Sequence, residues 1–369
     1  MLAKTGSNQV DVEFSLALHL KTGKYFHGRD LIAATADRIH RQLFWRLALN
    51  AVPGGLTARV IGRLLAMEVG ARVAWPAFDR LIPRIKRTRP VAHMDPHTTA
   101  VHQLAAHDLV LCHDVGPLTH PELFDVPMVA AYEKIYQEIA RVGPHMVFVS
   151  VASQSEFHKL FKGPYASSRV IYPPLRNEVV GGVAAAPAGV GPRFLLTVGS
   201  VGARKNQLRA IQAFAQSGLA AQGVQYVLCG GKEPGYEAVA AAAAQTPGVV
   251  LLGFVTDLEL NWLYENAAGF VLPSLLEGFG VPVAEAVARG LVPLVSADSV
   301  LHEVAGDGAL LVDPMDTAQI AAGMRALVEM SKAEAEARHV ALVASLAKFS
   351  PEVFEQSWRE AIEAAIASA

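Results

Sequence analysis

The sequence is poor in cysteine and lacks any long apolar run. Its 369 residues include two cysteines, Cys112 and Cys229, too few for a disulfide framework and typical of a reducing cytosol. Both end apolar, strand-like runs, so we expect small buried residues rather than reactive thiols. No run approaches the roughly 18–20 apolar residues of a membrane-spanning helix, and the N-terminus lacks the apolar segment of a signal peptide. These absences favour a cytoplasmic protein.

The familiar nucleotide fingerprints are also missing. There is no Gly-x-x-x-x-Gly-Lys-Ser/Thr loop and no Gly-x-Gly-x-x-Gly motif, which disfavours a P-loop enzyme and a dinucleotide oxidoreductase. No Asp-x-Asp element is present to bridge a metal to a diphosphate. Four histidines lie close in sequence, but Pro96 breaks their helical spacing and neither Cys nor a dense group of carboxylates joins them. We therefore expect no metal site at His93, His97, His102 and His107.

What is present indicates two domains. A hydrophobic fraction of 52% and a mean hydropathy of +0.29 are typical of a globular chain, and 369 residues exceed one ordinary core. The segment "NEVVGGVAAAPAGVGP" is rich in Gly, Ala and Pro and is interpreted as a linker. It separates predicted domains at residues 1–180 and 190–350, and a final amphipathic helix at about 352–369 is expected to pack back on the first.

The charge is unevenly distributed between the halves. Residues 1–180 hold 21 of the 32 Lys and Arg, but 15 of the 34 Asp and Glu. A basic first half suggests a domain that meets an anionic partner. The alternative is that each arginine simply lies on a solvated helix face.

Both halves show the pattern of α/β domains. In the first half we predict a strand in "VDVEFSLALHL", a turn at "KTGKYFHG", a helix from about Asp30 to Asn50 and a helix in "GLTARVIGRLLAMEVG". In the second half, short and almost wholly apolar strands alternate with helices. That alternation predicts parallel sheets covered on both faces. Ligands of such sheets bind at the carboxyl ends of the strands.

Two turns in the second half carry polar chemistry. In "TVGSVGARKNQ", glycines at 199 and 202 precede Arg204, Lys205 and Asn206 at a helix start. Two cations beside a helix N-terminus suit a diphosphate, although a plain glycine turn with solvated cations fits equally well. The alternative interpretations stay open on this pattern alone.

The second turn is "PSLLEGFGVPVAEAVARG". It places Glu277 in a glycine-rich bend and Glu285 about one turn into the next helix. Carboxylates at the edge of a sheet accept hydrogen bonds from hydroxyl groups, and the bend offers backbone amides. For Glu285 the alternative is a favourable interaction with the helix N-terminus, and an acid/base pair of the glycosidase type is a third possibility.

These motifs, in this order, closely resemble the family-4 retaining glycosyltransferases of GT-B fold. The Glu-x7-Glu element of that family matches Glu277 to Glu285, and "ARKN" resembles its phosphate signature. "GGKEPG", "LGFVTD" and "EVAGDGALLVDP" extend the resemblance from about Phe194 to Asp316. His302 departs from it, since relatives often carry proline there. The resemblance implies an α/β protein of GT-B architecture, with two Rossmann-like domains whose parallel sheets face each other across a crevice.

The resemblance also implies residue roles. Arg204 and Lys205 would neutralise the departing diphosphate, Glu277 would position sugar hydroxyls and Glu285 would hold the ribose. "CHDVGPLTHP" resembles a His-Asp motif that places His113 near the transferred sugar. Further donor-binding residues would be Gly199, Gly202, Asn206, Gly231, Phe254, Gly278, Phe279 and Gly280, and acceptor-side residues would be Gly23, Lys24 and Tyr25.

The resemblance points to a metal-independent, retaining hexosyltransferase. The "ARKN" and "EGFG" forms look like bacterial mannosyl- and rhamnosyltransferases, and the N-terminal segment looks like exopolysaccharide mannosyltransferases. We therefore expect GDP-mannose as co-substrate, no cofactor, a polyprenyl diphosphate-linked saccharide as acceptor, and no nucleic-acid partner. "GLTARVIGRLLAMEVG" and "RIKRTRP" are the candidate contacts with an anionic membrane, unless the first simply packs into the core. A rhamnosyl- or UDP-sugar-dependent transferase, or a GT-B epimerase or phosphorylase, is the alternative.

Overall fold

The computed structural model describes residues 8–18, 23–75, 77–175 and 185–369. Within these ranges the chain forms two compact units. The first combines the residues up to Pro174 with Phe349–Ala369, and the second is Leu175–Lys348. The first half of the segment predicted as a linker, residues 177–184, lies outside the described residues.

The first unit is built on one sheet. Its strands are β1 (Val10–Glu13), β2 (Ile39–Phe44), β3 (Leu47–Leu49), β4 (Val91–His93), β5 (Leu109–Cys112), β6 (His145–Phe148) and β7 (Ser167–Val170). They lie in the order β3-β2-β1-β4-β5-β6-β7. All neighbouring pairs are parallel except β2 and β3, which form an antiparallel hairpin. The helices before the second unit are α1 (Gly23–Ala34), α2 (Gly55–Ala74), α3 (Phe78–Leu81), α4 (Gly116–Thr119), α5 (Val126–Val142) and α6 (Val151–Leu160).

The second unit has a fully parallel sheet. Its strands are β8 (Phe194–Val198), β9 (Gln225–Cys229), β10 (Val249–Gly253), β11 (Gly269–Leu272), β12 (Pro293–Ser296) and β13 (Leu310–Val312), in the order β10-β9-β8-β11-β12-β13. Its helices are α7 (Gln207–Ser217), α8 (Tyr236–Gln245), α9 (Asp257–Asn266), α10 (Val281–Ala288), α11 (Val300–Ala305), α12 (Thr317–Glu329) and α13 (Lys332–Leu346). The central strands are almost wholly buried, which confirms the predicted parallel sheets covered on both faces.

The final helix, α14 (Pro351–Ala367), belongs to the first unit and confirms the helix predicted at this position. It begins after Ser350, whose hydroxyl accepts a hydrogen bond from the backbone amide of Val353. Trp358 is fully buried and its indole Nε1 donates to Nε2 of His27 on α1 at 3.3 Å. The C-terminal segment therefore completes the core of the first unit although it is distant in sequence.

The helix predicted from about Asp30 to Asn50 is wrong. Helix α1 ends at Ala34, and residues 39–49 form the β2–β3 hairpin. The hairpin turns at Trp45, whose φ of 58° is left-handed, and β2 pairs along β1. Pairing with β1 and the burial of Leu43 and Phe44 outweigh local helix preference, because tertiary packing overrides weak propensities.

The turn predicted at "KTGKYFHG" is also wrong for the part that the structure describes. Residues 23–28 are helical and form the start of α1, while residues 21 and 22 lie outside the described ranges. The strand predicted in "VDVEFSLALHL" is shorter than expected. It ends at Glu13, and a 3₁₀ turn follows at Ser15–Leu18.

Two buried histidines lie side by side behind β4. The hydroxyl of Thr98 donates to the carbonyl of Asp95 at 2.7 Å, so it accepts a hydrogen bond from Nδ1 of His93 at 2.8 Å. Nε2 of His102 donates to the carbonyl of Trp45 at 3.1 Å, and the two rings are 5.6 Å apart. Burial lowers the pKa of His93 well below its usual range, with His102 and Arg87 contributing, and burial with nearby Arg87 lowers the pKa of His102 to about 4. Both rings are therefore neutral at pH 7.

This arrangement predicts that the first unit loses stability in acid. Below pH 6.5 the unfolded chain binds protons on these histidines, whereas in the folded chain His102 does not until about pH 4 and the pKa of His93 also lies well below its usual range, so stability falls as the pH drops from 6.5 towards 4. For His102 the loss is on the order of 3 kcal/mol. Urea unfolding between pH 7 and 4.5 measures it, and His102→Gln should flatten the dependence. His120→Gln, at a partly exposed ring, is the control; an unchanged slope in His102→Gln contradicts the assignment.

Candidate functional site

The predicted site residues divide between the carboxyl ends of the two sheets. In the second unit, the loop after β8 is joined to the loop after β9. The amide of Val201 donates to the carbonyl of Gly231 at 2.6 Å, and that of Glu233 donates to the carbonyl of Val201 at 2.9 Å. A Cβ at Gly230, where φ is 147°, would clash with the carbonyl oxygen of Gly199. Only glycine permits these two backbones to lie so close.

Most backbone amides of the β8 loop are already used inside the domain. Gly199 donates to the carbonyl of Cys229 at 3.0 Å, and Gly202 donates to the side-chain oxygen of Gln207 at 2.8 Å. The amide of Val201 bonds to Gly231, as described above. The backbone amides at positions 199, 201 and 202 therefore have partners in the folded chain. The donor-binding roles of Gly199 and Gly202 stay predictions, and contact there would come from close approach of the backbone.

Arg204 and Lys205 of the β8 loop contact Glu277, the carboxylate of the second predicted turn. Nζ of Lys205 donates to Oε1 of Glu277, which also accepts from the hydroxyl of Ser274 at 2.9 Å. Nη1 of Arg204 lies 3.2 Å from Oε2 of Glu277, and Nη2 lies 3.2 Å from Oε2 of Glu233. The structure thus brings together Arg204, Lys205 and Glu277, and it adds Glu233, which sequence reasoning missed.

Glu277 is held as an ion. Its side chain is only 7% exposed, and burial alone would raise its pKa. The charges of Lys205 and Arg204 outweigh burial, so the pKa of this carboxyl lies below its usual range. A carboxylate has about four acceptor positions, and Lys205, Ser274 and Arg204 occupy three. Among the described residues, no partner fills the fourth position, on Oε2.

The side chain of Asn206 forms hydrogen bonds to the loops that follow two different strands. Its Nδ2 donates to the carbonyl of Pro273 at 2.9 Å and to that of Pro314 at 2.7 Å, while Oδ1 accepts from Arg209 at 2.8 Å. The residue is buried and adopts a left-handed backbone with φ of 58°. Its side chain therefore fixes the loops after β11 and β13 against α7, and its predicted contact with the donor stays a prediction.

The bend after Glu277 is tightly packed. Phe279 is buried, and a Cβ at Gly280, where φ is 96°, would clash with Leu301. Helix α10 starts directly afterwards, with Pro282 in its first turn. Gly278 and Phe279 lie between Glu277 and the helix start, so the geometry leaves their donor-binding roles as predictions.

Glu285 has a partner on α9. The hydroxyl of Tyr264 donates to Oε2 of Glu285 at 3.0 Å. Tyr264 is buried, and burial together with Glu285 raises its pKa well above the usual range, so the hydroxyl keeps its proton. The guanidinium of Arg289 lies over the ring, 4.9 Å from its centre. Sequence reasoning gave no signal that Tyr264 orients Glu285.

Phe254 is an exposed aromatic ring next to a glycine. It follows β10 and is 86% exposed, although large apolar side chains are usually buried. A Cβ at Gly231 would lie 2.6 Å from Cζ of this ring. Glycine at 231 therefore leaves room for the tip of this ring beside the β9 loop, so Gly231 and Phe254, both predicted to bind the donor, lie next to each other.

In the first unit, His113 follows β5 and is buried. Its Nε2 donates to the carbonyl of Met94 at 3.1 Å, and its own carbonyl accepts from the hydroxyl of Ser153 at 3.0 Å. Burial lowers the pKa of His113 to about 4, and nearby Lys24 lowers it further. The ring is therefore neutral at pH 7, with Nε2 protonated, so Nδ1 is the atom that can accept a hydrogen bond.

Lys24, at the start of α1, lies beside His113. Burial would lower the pKa of Lys24, but Tyr132, Asp114 and Asp95 together raise it above its usual range. Sequence reasoning missed these three partners, which follow β4 and β5 or lie on α5. Of the other acceptor-side residues, Gly23 begins α1 and Tyr25 stacks on Phe14 with ring centres 5.7 Å apart.

Neither cysteines nor histidines form a reactive or metal-binding set in the described ranges. Cys112 and Cys229 are buried, and burial raises the pKa of each thiol to about 12, which confirms that both are structural. Among the described residues, no three His, Cys, Asp or Glu side chains form a group that could hold a metal ion. Metal-independent chemistry nevertheless stays a prediction.

No helix in the described part of the chain has the length and apolarity to cross a bilayer.

Comparison with known proteins agrees with this geometry. The family described as "Glycosyl transferases group 1" matches residues 185–341. An O-antigen chain mannosyltransferase B from Escherichia coli is 27% identical over 281 residues, which are 71% of this chain and 72% of that protein. The O-antigen chain mannosyltransferase RfbU from Salmonella typhimurium is 46% identical over 68 residues, 18% of this chain and 19% of its own length.

A solved structure shares the fold across the whole chain. The UDP-forming α,α-trehalose-phosphate synthase from Burkholderia vietnamiensis superposes with a TM-score of 0.67 at 14% identity, covering 98% of this chain and 100% of that one. The two α/β units with parallel sheets are therefore those of the GT-B fold. Residues 185–341 match the glycosyl transferases group 1 family, and the chain has the GT-B fold and resembles bacterial O-antigen mannosyltransferases.

Proposed function

We propose that the protein transfers mannose from GDP-mannose, with retention of configuration, to a lipid-linked oligosaccharide in surface-polysaccharide synthesis. The observation that carries the proposal is the contact of Arg204 and Lys205 with Glu277 at the carboxyl ends of β8 and β11. Such an edge is where parallel α/β sheets bind ligands. The mannosyltransferase names of two relatives support the choice of sugar.

In this proposal the cations act on the leaving group. When the bond between sugar and diphosphate breaks, negative charge grows on the diphosphate oxygens. Arg204, whose side chain is 28% exposed, and the buried Lys205 stand where they can neutralise that charge without reorganising. No residue is assigned as a base, because the departing phosphate can take the proton of the acceptor. The transfer is proposed to need no metal.

The carboxylates and the exposed ring would hold the rest of the donor. The acceptor position left on Glu277 suits a sugar hydroxyl. Glu285, oriented by Tyr264, suits the ribose. Phe254 offers an exposed aromatic face, which suits stacking of a nucleobase.

The first unit would supply the acceptor side. His113 is neutral and its Nδ1 is an acceptor, so it suits a sugar hydroxyl rather than a phosphate. Lys24, with Asp95 and Asp114 nearby, adds one cation and two carboxylates. Together these side chains favour binding of neutral hydroxyl groups of the acceptor over binding of an anionic group.

A donor panel tests the proposed function. The full chain is incubated with GDP-mannose, dTDP-rhamnose, UDP-glucose or UDP-N-acetylglucosamine and a lipid-linked acceptor extract, and nucleotide release and product linkage are measured. We expect acceptor-dependent release of GDP with an α-linkage retained. Release of nucleotide with free sugar and no acceptor identifies an epimerase, and preference for another donor replaces GDP-mannose.

Helix α2 presents the surface that we propose meets the membrane. Leu56 and Met67 are 76% and 70% exposed, and Val60 and Leu64 lie between them on the same face. The exposed arginines Arg59 and Arg63 flank this stripe. The only acid of α2 is Glu68, which is buried against Arg46 and Arg72. An apolar stripe with unopposed arginines is typical of a helix that lies on an anionic bilayer.

We expect the chain to co-sediment with phosphatidylglycerol vesicles more than with phosphatidylcholine vesicles. Each basic residue near an anionic surface contributes about 1 kcal/mol, so Arg59→Glu with Arg63→Glu should weaken binding by at least about tenfold. The control is Arg141→Glu with Lys162→Glu, which makes the same charge change at exposed positions elsewhere in the first unit. Equal binding to both vesicle types, or equal loss in the control, contradicts the membrane proposal.

A further inference from the structure

Glu233 is the third carboxylate of the Arg204 site. It lies in the loop after β9, within "GGKEPG", and its side chain is 18% exposed. Oε2 accepts from the hydroxyl of Ser200 and from Nη2 of Arg204, the latter at 3.2 Å. Gly202 makes this position possible, because a Cβ there would clash with Cγ of Glu233 and with the carbonyl oxygen of Pro234. The chain is therefore shaped to bring this carboxylate against Arg204.

The other oxygen of Glu233 is unused by the described residues. Oε1 is buried and has no hydrogen-bond partner among them. Leaving a buried carboxylate oxygen unpaired is costly, so the site is built for a partner that the folded chain does not supply. Both acceptor positions of Oε1 are open, whereas Glu277 has one position left in all.

The surroundings restrict the chemistry of that partner. Arg204 touches the neighbouring oxygen and would repel a cation, while the carboxylate itself repels a phosphate. A neutral hydrogen-bond donor remains. The hydroxyl groups of a nucleotide sugar are such donors, and they would lie close to the cations that hold its diphosphate.

We propose that Oε1 of Glu233 binds a hydroxyl of the nucleotide sugar while Oε2 holds Arg204 in place. The inference rests on the proposed function, because it needs a nucleotide sugar at this site. It assigns Glu233 as a donor-binding residue, and the hydroxyl belongs either to the transferred sugar or to the ribose.

Titration calorimetry of the full chain tests the assignment with three ligands: GDP-mannose, GDP and 2′,3′-dideoxy-GDP. The ratio of Kd values for GDP and GDP-mannose measures the contribution of the sugar, and the ratio for dideoxy-GDP and GDP measures that of the ribose hydroxyls. A hydrogen bond to a charged group contributes roughly tenfold or more in affinity. In Glu233→Ala we expect one of these ratios to fall at least about tenfold, which also identifies the source of the hydroxyl.

Two further variants keep the test independent of folding. Glu233→Gln preserves the size and one carbonyl oxygen, so it should retain more of the affected ratio than Glu233→Ala. Glu237→Gln makes the same charge change at an exposed position four residues away and should leave both ratios unchanged. If both ratios in Glu233→Ala match the wild type within about threefold, or if all three ligands bind tighter by one common factor, Glu233 is a counter-ion only and the assignment is overturned.

The same titrations separate this inference from the donor assignment. If the wild-type chain binds UDP-glucose and not GDP-mannose, the GDP-mannose proposal fails, and the ratios are measured with UDP-glucose, UDP and 2′,3′-dideoxy-UDP. If the wild-type chain binds no nucleotide diphosphate, both proposals are overturned.

Discussion

Replacing Arg204 and Lys205 together by alanine should lower kcat/KM by at least about 10³. Loss of a single preorganised donor to a developing anion typically costs about 10²–10³. Here both cations proposed to face the departing diphosphate would be removed at once. Nucleotide release under the donor-panel conditions measures the effect.

The control is Arg193→Ala with Lys332→Ala, which removes the same charges at exposed positions of the second unit. Activity there should stay within about twofold of the wild type, because exposed charges away from the site contribute little. Turnover of the Arg204→Ala, Lys205→Ala variant within tenfold of the wild type contradicts the assigned roles.

The same double variant should also lose stability. From sequence alone the two cations resemble solvated residues that can be removed without harm. In the structure Lys205 is buried against Glu277, and breaking such a pair by removing one partner costs about 3–5 kcal/mol. Activity must therefore be measured where circular dichroism shows the variant folded, and adding Glu277→Gln should restore part of the stability but none of the turnover.

Glu68→Ala should destabilise the first unit by about 3–5 kcal/mol, the cost of leaving buried cations without their carboxylate. Glu68 is buried on α2 and accepts from the indole of Trp45 at 2.8 Å, from Nε of Arg46 at 2.9 Å and from Nε of Arg72 at 3.0 Å. Burial opposes its ionisation, but these partners lower its pKa to about 2. Urea unfolding followed by tryptophan fluorescence and far-UV circular dichroism measures the loss.

Glu122→Ala, at an exposed acid of the same unit, should change the free energy of unfolding by less than about 0.5 kcal/mol. A loss below 1 kcal/mol in Glu68→Ala contradicts the view that this carboxylate holds the β2–β3 hairpin against α2. Because Arg46 and Trp45 lie at the hairpin turn, the variant should also weaken the hairpin first, which hydrogen exchange of residues 42–49 would detect.

The second unit was largely predictable because its signals are local. Apolar strands alternate with helices, so the parallel sheet follows from periodicity. The turns that end in Arg204, Lys205 and Glu277 are recognisable from motif and spacing, and the structure shows the three side chains in contact. Their nearness depends only on β8 and β11 being neighbours in a parallel sheet.

The residues that sequence reasoning missed owe their positions to distant partners. Glu233 reaches Arg204 only because the β8 and β9 loops are bonded together and Gly202 leaves room. Tyr264 orients Glu285 across two helices. In the first unit, the hairpin at residues 39–49 forms because β1 lies alongside, which no local pattern reveals.

The close contact of cations and carboxylates around Arg204 has a consequence for product release. When a diphosphate leaves, Glu277 and Glu233 remain in contact with Arg204 and Lys205. Each cation then still has a counter-ion after the nucleotide has left. Departure of the nucleotide therefore avoids the free-energy cost of leaving two unpaired cations in the site. The arrangement would favour turnover as well as binding, because the carboxylates proposed to contact the donor would also ease the departure of the nucleotide.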